Sequence, residues 1–243
     1  MDAEVRPFRW SFSQWETYDQ CPAKWKYKSI LRLPTLPPGP AAARGLDMHD
    51  RMDKYITGQI ELPYAQNGDP NARFGSKKAA RVHDKYIPII DAYRNHPNGS
   101  RHSEKKLGFD REWYLCDPKS RFAWCIAVLD GVRCETGGPL RIGEWKSGTP
   151  KARHQDQRSL YAIFGMKAWL CDDVEVTTYY LELPDEKPQR LIVSGQAGFE
   201  KLKSKWTSRA EQMENDAICA PRPNEGCQWC DFARGRGGPC QFG

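Results

Sequence analysis

The alternation of apolar and polar residues predicts helices over the first hundred residues, strands in the middle of the chain and both kinds of element after that. The segment SQWE at residues 13–16 has the form of a capping box, so a helix is expected to begin near Gln14. It would extend to about Ile30, with Pro22 as the point where it could break or kink. Its apolar stripe would include Trp15 and Tyr18.

Two further helices are expected before the strands begin. The segment PTLPPGP at residues 34–40 is extended and connects the first helix to a second, which spans Ala41 to Ile56. A third helix is expected from about Phe74 to His96, with Pro88 as the point where it could kink.

Strand patterns dominate from Glu104 to Lys146, and helices and strands alternate beyond them. The later elements are a helix over 153–170, a strand over 174–183, a short strand over 190–193 and a helix over 196–213. This order predicts a single α/β domain over 1–243 with a mixed central sheet. Its parts would be an N-terminal helical part (11–100), an α/β core (101–195) and a C-terminal helix with a cysteine-rich cap (196–243).

Within the strand region, the segment ETGGP predicts a hairpin turn between two apolar runs, 122–132 and 140–146. If the hairpin is centred on Gly137, Asp130 lies directly opposite Glu144. Opposed side chains point to the same face about 5 Å apart. Alternation along the strand then puts Lys146 on that face and turns Trp145 away.

This arrangement of two acids and a lysine suggests a metal-dependent phosphate site. Two bare carboxylates that close would repel each other and raise the pKa of one of them. A divalent cation such as Mg²⁺ or Mn²⁺ removes the conflict, because hard carboxylate oxygens suit it. Solvated acids with a surface ion pair are the alternative. The apolar strands favour an interior hairpin, where unpaired acids would be costly.

Composition is compatible with a folded protein that binds a polyanion. The chain has 243 residues, 12% of them aromatic, and a net charge of +6 from 37 basic and 31 acidic residues. The N-terminal residues lack the apolar core of a signal peptide. The longest apolar run, 122–129, is too short to span a membrane, so a cytoplasmic location is expected.

Two pairs of polar residues outside the hairpin could complete its site. His49 lies on the predicted second helix and could be a further metal ligand, although such histidines are often structural. Glu104 begins the strand region and is either part of the site or a solvated acid. Gln157 and Tyr161 lie four residues apart on one helix face and could contact water or phosphate. The neighbouring basic residues, which could contact a nucleic-acid backbone, are Lys151, Arg153, His154 and Arg158.

The cysteines near the C-terminus form the most specific motif. Cys227 and Cys230 have CxxC spacing and Cys240 follows, a pattern typical of a zinc or iron–sulfur site. The fourth ligand would be Cys21 or Cys219. If it is Cys21, the site ties the two ends of the chain together.

These motifs, in this order, resemble the PD-(D/E)XK nuclease superfamily. More narrowly, the chain is similar to the RecB-type exonucleases, which include the CRISPR-associated iron–sulfur exonucleases and the AddB nuclease domain. The matching segments are SQWETYDQCPAKWKY (13–27), GLDMH (45–49), Glu104, LDG (129–131), IGEWKSG (142–148), Gln157 to Tyr161 and the closing CQWC with Cys240. Two departures are the glutamate at position 144, where aspartate is more common, and a long gap between Cys230 and Cys240.

The resemblance implies a restriction-endonuclease-like fold and a role for each motif residue. Mg²⁺ or Mn²⁺ would be bound by His49, Asp130, Glu144 and the backbone carbonyl of Trp145, with Lys146 positioning water or stabilising charge on phosphorus. Gln157 and Tyr161 would act in the active site and in DNA binding. A [4Fe–4S] cluster, with zinc as the alternative, would be held by Cys21, Cys227, Cys230 and Cys240.

The expected function is therefore that of a metal-dependent DNA exonuclease acting at single-stranded ends, in phage or bacterial replication, recombination or repair. DNA is the expected substrate, and a helicase or recombinase is a candidate protein partner. The alternative is a non-catalytic DNA-binding or partner-docking module with a structural zinc or iron–sulfur site.

Overall fold

The computed structural model of the protein describes residues 7–61, 82–97, 101–135 and 137–243. The strands formed by these residues are β1 (Trp10–Ser11), β2 (Arg101–Phe109), β3 (Leu115–Cys116), β4 (Cys125–Cys134), β5 (Leu140–Lys146), β6 (Asp173–Tyr180) and β7 (Gln189–Ser194). The α-helices are α1 (Phe12–Gln20), α2 (Pro22–Trp25), α3 (Pro40–Ile56), α4 (Ile87–Arg94), α5 (Arg153–Trp169) and α6 (Gly195–Asn215).

All of these strands belong to one sheet, in the order β3-β2-β4-β5-β6-β7, with β1 paired to β4. The β4–β5 hairpin is antiparallel, whereas β5 and β6 are parallel and joined by α5. A parallel connection needs such a crossover, which places a helix on one face of the sheet. The expected mixed α/β sheet flanked by helices is therefore confirmed.

The helices cover the sheet from both sides and create two apolar cores. The first core packs α5, α1 and α6 around a cluster of tryptophans, in which Trp10 stacks on Trp206 with ring centroids 5.9 Å apart. The second core contains Met48 and Met52 of α3, Tyr93 of α4 and Trp145 of β5. The sheet is thus held rigidly at β4 and β5, the hairpin that carries Asp130 and Glu144.

The predicted N-terminal helix is present but divided at Cys21. This residue has an extended backbone (φ −162°), α2 begins at Pro22, and a π-helical turn spans Lys26–Ile30. A proline in the first helical position costs no hydrogen bond, so Pro22 starts a new helix instead of bending the old one. The second helix is confirmed at Pro40–Ile56.

In its described part, the third predicted helix is present but begins later than expected. Residues 74–81 lie outside the described residues, but a 3₁₀ turn at Asp84–Tyr86 precedes α4, which begins at Ile87. Pro88 occupies the first turn of α4, where its missing N–H is not needed, so it produces no kink.

None of the described helices combines the length and apolar character needed to cross a bilayer. The division of the chain at residues 100 and 195 stays a prediction.

Candidate metal centre

A row of polar side chains crosses the sheet at the level of Asp130. The β2–β4 register pairs Ser103 with Gly131 and Lys105 with Leu129, which places Glu104 opposite Asp130. On the other side, Gly131 pairs with Gly143, so the next pair in register is Asp130 and Glu144, as the hairpin centre predicts. Glu144 in turn is the parallel partner of Thr178 on β6. Three carboxylates thus lie on three adjacent strands.

The opposite face of this hairpin is filled by the indole of Trp145. A Cβ added at Gly131 would lie 2.8 Å from the Trp145 ring, and one at Gly143 would lie 2.6 Å from it. Both glycines therefore leave room for the ring, which also meets Tyr93 edge-on. With Trp145 anchored on this side, its backbone N–H donates to Asp130 Oδ2 over 2.9 Å and fixes that carboxylate on the other side.

His49 reaches the row from α3 and contacts two of the acids. Its Nδ1 lies 3.4 Å from Glu104 Oε1 and 3.3 Å from Asp130 Oδ1. One ligand atom from each of the three residues lies within 4.8 Å of the others, as a shared cation would require. The charge of Asp130 raises the pKa of His49 to about 11. The protonated imidazole therefore provides positive charge where a metal ion would lie.

Glu144 lies deeper and has different partners. Its side chain is 2% exposed, and its Oε1 accepts hydrogen bonds from Lys146 Nζ at 2.5 Å and Gln157 Nε2 at 2.7 Å. Its other oxygen, Oε2, is buried and has no hydrogen-bond partner among the described residues. A buried carboxylate oxygen without a partner is costly. A hard cation between Glu144 and Asp130 would satisfy it, so these residues fit a divalent metal.

Burial and mutual repulsion give the two central acids different pKa values. Burial, followed by the charge of Asp130, raises the pKa of Glu144 to about 7. Burial alone would also raise the pKa of Asp130, but the charge and hydrogen bond of His49 keep it below its ordinary value. For Lys146, burial acts to lower the pKa, and the charges of Glu144 and Asp130 more than offset it, so the pKa is raised and Lys146 is a cation.

Helix α5 brings Gln157 and Tyr161 to the same site. Gln157 Nε2 lies 3.0 Å from the Tyr161 hydroxyl as well as donating to Glu144, so one amide links the helix to the acid. The structure therefore brings together the predicted residues Asp130, Glu144 and Gln157, along with Glu104, whose part was left open by the sequence.

A cleft of about 1250 Å³ gives access to this row. Its walls are the start of α3, the end of β5 with the loop at 147–149, and the start of α5, and both His49 and Lys146 line it. His154 lines it too, and burial together with the charge of Lys146 lowers the pKa of His154 to about 4. It is therefore neutral, unlike the basic residue that its sequence surroundings suggest.

The other three basic residues predicted to contact nucleic acid lie in three different environments. Lys151 lines the cleft. Arg153 forms an ion pair with Glu16 of α1. Arg158 is buried against β6 and β7, a position that the sequence pattern did not predict.

A second cluster of candidate ligands lies where the C-terminal tail meets the N-terminal helices. A cavity of about 60 Å³ is lined by Cys21, Cys227, Cys230 and Cys240. The backbone N–H groups of Arg222 and Asn224 point at the sulfurs of Cys21 and Cys227, at 3.4 and 3.3 Å.

Cys219, the alternative fourth ligand, is not among the residues that line this cavity. Its thiol donates instead to the carbonyl oxygen of Asp216 at 3.0 Å. The four cavity cysteines are free thiols, and no three of their sulfurs lie within 4.8 Å of one another. Four cysteines that line one cavity, with backbone N–H groups directed at two of the sulfurs, suit metal or cluster binding.

Comparison with known proteins identifies one family. The family model of the PD-(D/E)XK nuclease superfamily matches residues 9–234. Among solved structures, the chain is similar to one titled "Crystal structure of SSO0001", with 13% identity, a TM-score of 0.41, and coverage of 96% of this chain and 86% of that one. It is also similar to "Crystal Structure of LHK-Exo in complex with dAMP", with 14% identity, a TM-score of 0.38, and coverage of 85% and 88%. A search of curated proteins finds no match.

Proposed function

The chain belongs to the PD-(D/E)XK nuclease superfamily, and we propose that it is a DNA exonuclease that uses Mg²⁺ or Mn²⁺ to hydrolyse phosphodiester bonds at single-stranded ends. The observation that carries the proposal is the row of Glu104, Asp130 and Glu144 with Lys146 beside it at the base of an open cleft. Acids on three adjacent strands can hold a metal ion, and the Lys146 ammonium beside them can hold a phosphate.

Each residue of the row would have a defined part in the reaction. The metal would be held by Asp130, Glu144, His49 and the backbone carbonyl of Trp145, with Glu104 beside them. A bound divalent ion supplies a water of lowered pKa and neutralises charge on the phosphate. Lys146, a cation within 2.5 Å of Glu144, would stabilise the negative charge that develops on the phosphoryl oxygens.

Gln157 and Tyr161 would position the Glu144 carboxylate and would not contact the reacting atoms. Gln157 donates to Glu144 Oε1, which leaves the Oε2 atom free to face a metal. The Tyr161 hydroxyl lies 3.0 Å from the Gln157 amide, so the carboxylate is held by a chain of two hydrogen bonds from α5.

The cysteine cavity would hold a [4Fe–4S] cluster. Four thiols from α1–α2 and the tail share the cavity. The CxxC pair with two further cysteines is typical of either zinc or an iron–sulfur cluster, and the similarity of the motifs to those of iron–sulfur exonucleases favours the cluster. A bound cluster would join the tail to the N-terminal helices through iron–sulfur bonds.

The biological setting stays a proposal drawn from the family. Replication, recombination or repair of phage or bacterial DNA in the cytoplasm would suit an exonuclease, with a helicase or recombinase as a protein partner. The competing function is a non-catalytic DNA-binding or docking module, which would use the same cleft without needing Lys146.

The test is cleavage of labelled single- and double-stranded DNA with Mg²⁺ or Mn²⁺, using substrates blocked at the 5′ or the 3′ end. We expect progressive shortening from one unblocked end and none with chelator. Lys146→Ala should lower the rate by about 10²–10³-fold, the effect of losing one group that stabilises transition-state charge. The control is Lys201→Ala, an exposed lysine on α6.

Three outcomes would overturn parts of the proposal. Internal fragments from end-blocked DNA would contradict exonuclease action. Equal rates for Lys146→Ala and wild type would contradict the assigned site. Tight DNA binding without cleavage under every metal condition would favour the non-catalytic module.

A further inference from the structure

A buried guanidinium that has no acidic partner among the described residues lies next to the metal centre. Arg158 of α5 is 7% exposed, and its Nη1 donates to Thr178 Oγ1 and to Gln189 Oε1, each at 3.1 Å. Both partners are neutral. Burial lowers the pKa of Arg158, and in the described part of the chain no carboxylate contributes to that pKa.

Three cations near the same helix, by contrast, are paired with acids. Arg153 is paired with Glu16, and both Lys205 and Arg209 contact Asp156 at 2.7 and 2.8 Å. Taking a charge out of water without a counter-charge destabilises a fold. Arg158 is buried with neutral hydrogen-bond partners among the described residues, so a negative group from outside the chain would be favourable there.

The surroundings of Arg158 provide room for such a group. A cavity of about 370 Å³ is lined by Pro150, Lys151, Ala152, Gln155, Arg158 and Gln189, none of them acidic. Ala152 is the N-cap residue of α5 and makes no side-chain cap hydrogen bond. The first turn of α5 carries one acid, Asp156, which is paired with Lys205 and Arg209. The attraction for an anion therefore comes from Arg158 and Lys151 and not from the helix dipole.

The cavity is adjacent to the proposed cleavage site. Lys151 lines both this cavity and the active-site cleft. Thr178, which holds the guanidinium, is the strand partner of Glu144. Neighbouring strands are about 4.8 Å apart, so Arg158 lies roughly one to two strand spacings from the metal-binding acid.

We infer that this cavity binds a phosphate group of the nucleic-acid strand next to the phosphate being cut, through the Arg158 guanidinium and the Lys151 ammonium. A planar guanidinium can bind phosphate with two parallel hydrogen bonds, and this would fix the position of the strand relative to the metal. The anion site follows from the geometry of Arg158, whereas its assignment to a strand phosphate rests on the proposed nuclease function.

The first experiment tests the anion site without DNA or catalysis. Thermal unfolding is followed in increasing inorganic phosphate, with chloride of equal ionic strength as the reference. Phosphate should raise the Tm of the wild type and not that of Arg158→Gln, since a ligand that binds the native state stabilises it. The matched control is Arg190→Gln, an exposed β7 arginine that should keep the full phosphate response.

A second variant separates binding from a structural role. Arg158→Met removes the buried charge and keeps an apolar side chain of similar length, so without phosphate its Tm should equal or exceed that of the wild type. Equal phosphate stabilisation of wild type and Arg158→Gln would overturn the anion site. A large loss of Tm in both variants would make the guanidinium a structural group and would overturn it too.

The second experiment tests the strand. Binding of a single-stranded oligonucleotide is measured without divalent metal at several salt concentrations. Arg158→Gln should weaken binding by about tenfold and lower the salt slope by about 0.7, the value for one phosphate contact on a single strand. An unchanged slope together with a positive phosphate result would mean that the cavity binds a small anion and not the strand. Because this measurement needs no cleavage, it tests strand binding by Arg158 even if the nuclease assay shows no activity.

Discussion

Glu144 has an environment very different from that of a surface acid. It is buried, its Oε1 is bonded to Lys146 and Gln157, and its Oε2 has no partner in the part of the chain that the structure describes. Counting outward from Gly137 in the sequence is enough to place it opposite Asp130. The contribution of Glu104 is harder to see in advance, because it depends on the β2–β4 register between segments about 25 residues apart.

The raised pKa of Glu144 predicts how stability depends on pH in the metal-free protein. A folded-state pKa of about 7, above the ordinary 4.5, means that the native state holds the proton more tightly. The resulting stabilisation is complete below pH 4.5 and is lost as the pH rises through 7. Glu144→Gln should remove this loss, as measured by denaturant unfolding from pH 4.5 to 8.

Two histidines have the opposite effect on stability, so the wild type must be compared with Glu144→Gln. Burial lowers the pKa of His154 to about 4 and that of His102 as well, so their contributions increase stability over part of the same pH range. The informative quantity is therefore the difference between wild type and Glu144→Gln. If that difference stays constant from pH 4.5 to 8, Glu144 does not carry the assigned proton.

At the scale of elements, the β4–β5 hairpin is defined by a turn at its end and by an indole on one face. The turn and the apolar runs can be read from the sequence, and so can the alternation that turns Trp145 away from the acids. The sequence does not show that Gly131 and Gly143 leave space for that indole. The space is bounded by Tyr93, which lies on α4 and reaches the hairpin only in the folded chain.

The indole contact predicts a large effect of one methyl group. In Gly143→Ala the new Cβ would lie 2.6 Å from the Trp145 ring, so the hairpin must shift. Overpacking of this kind lowers the free energy of unfolding by about 1–3 kcal/mol. Gly148→Ala is the control, since no atom of the described residues lies within 4 Å of its added Cβ. Denaturant unfolding that gives equal stabilities for the two variants would show that the indole does not fix the hairpin.

Helix ends were predicted less well than helix positions. Pro22 and Pro88 were both treated as interior residues that could kink a helix, and both lie in a first turn. The physical reason is shared: a first-turn N–H has no helical partner, so proline is accepted there. Prolines within a helical pattern therefore mark starts here.

For the whole molecule, the sequence predicted the fold class but not how the chain's ends meet. Cys21 and the tail cysteines are separated by more than 200 residues, and the choice between Cys21 and Cys219 could not be made from spacing. The extended backbone that separates α1 from α2 presents Cys21 to the tail cavity, whereas Cys219 is bonded to its own turn.

This geometry predicts different results for two matched cysteine variants. In protein purified without oxygen, Cys21→Ser should lose most of its iron and sulfide and should unfold at a lower temperature. Cys219→Ser should keep the iron and sulfide content of the wild type. The measurement is iron and sulfide per chain with thermal unfolding. Zinc in place of iron in the wild type, or loss of iron only in Cys219→Ser, would contradict the assignment.

The parallel pairing of β5 and β6 determines where α5 lies relative to the metal-binding acids. It requires α5 to cross over the sheet, and this crossover delivers Gln157 to Glu144 and Arg158 to Thr178. Local patterns predicted the helix and both strands, but only the fold shows that one helix serves both the metal row and the adjacent cavity.

The most direct test of the central claim is the rate of single-stranded DNA cleavage as a function of Mn²⁺ concentration, in wild type and in Asp130→Asn. The wild type should show saturable cleavage. Asp130→Asn should lose more than the roughly 10–100-fold expected for a group that only supports a metal ligand. A wild type that cleaves no DNA at any Mn²⁺ concentration, or an Asp130→Asn variant with the wild-type curve, would contradict the account.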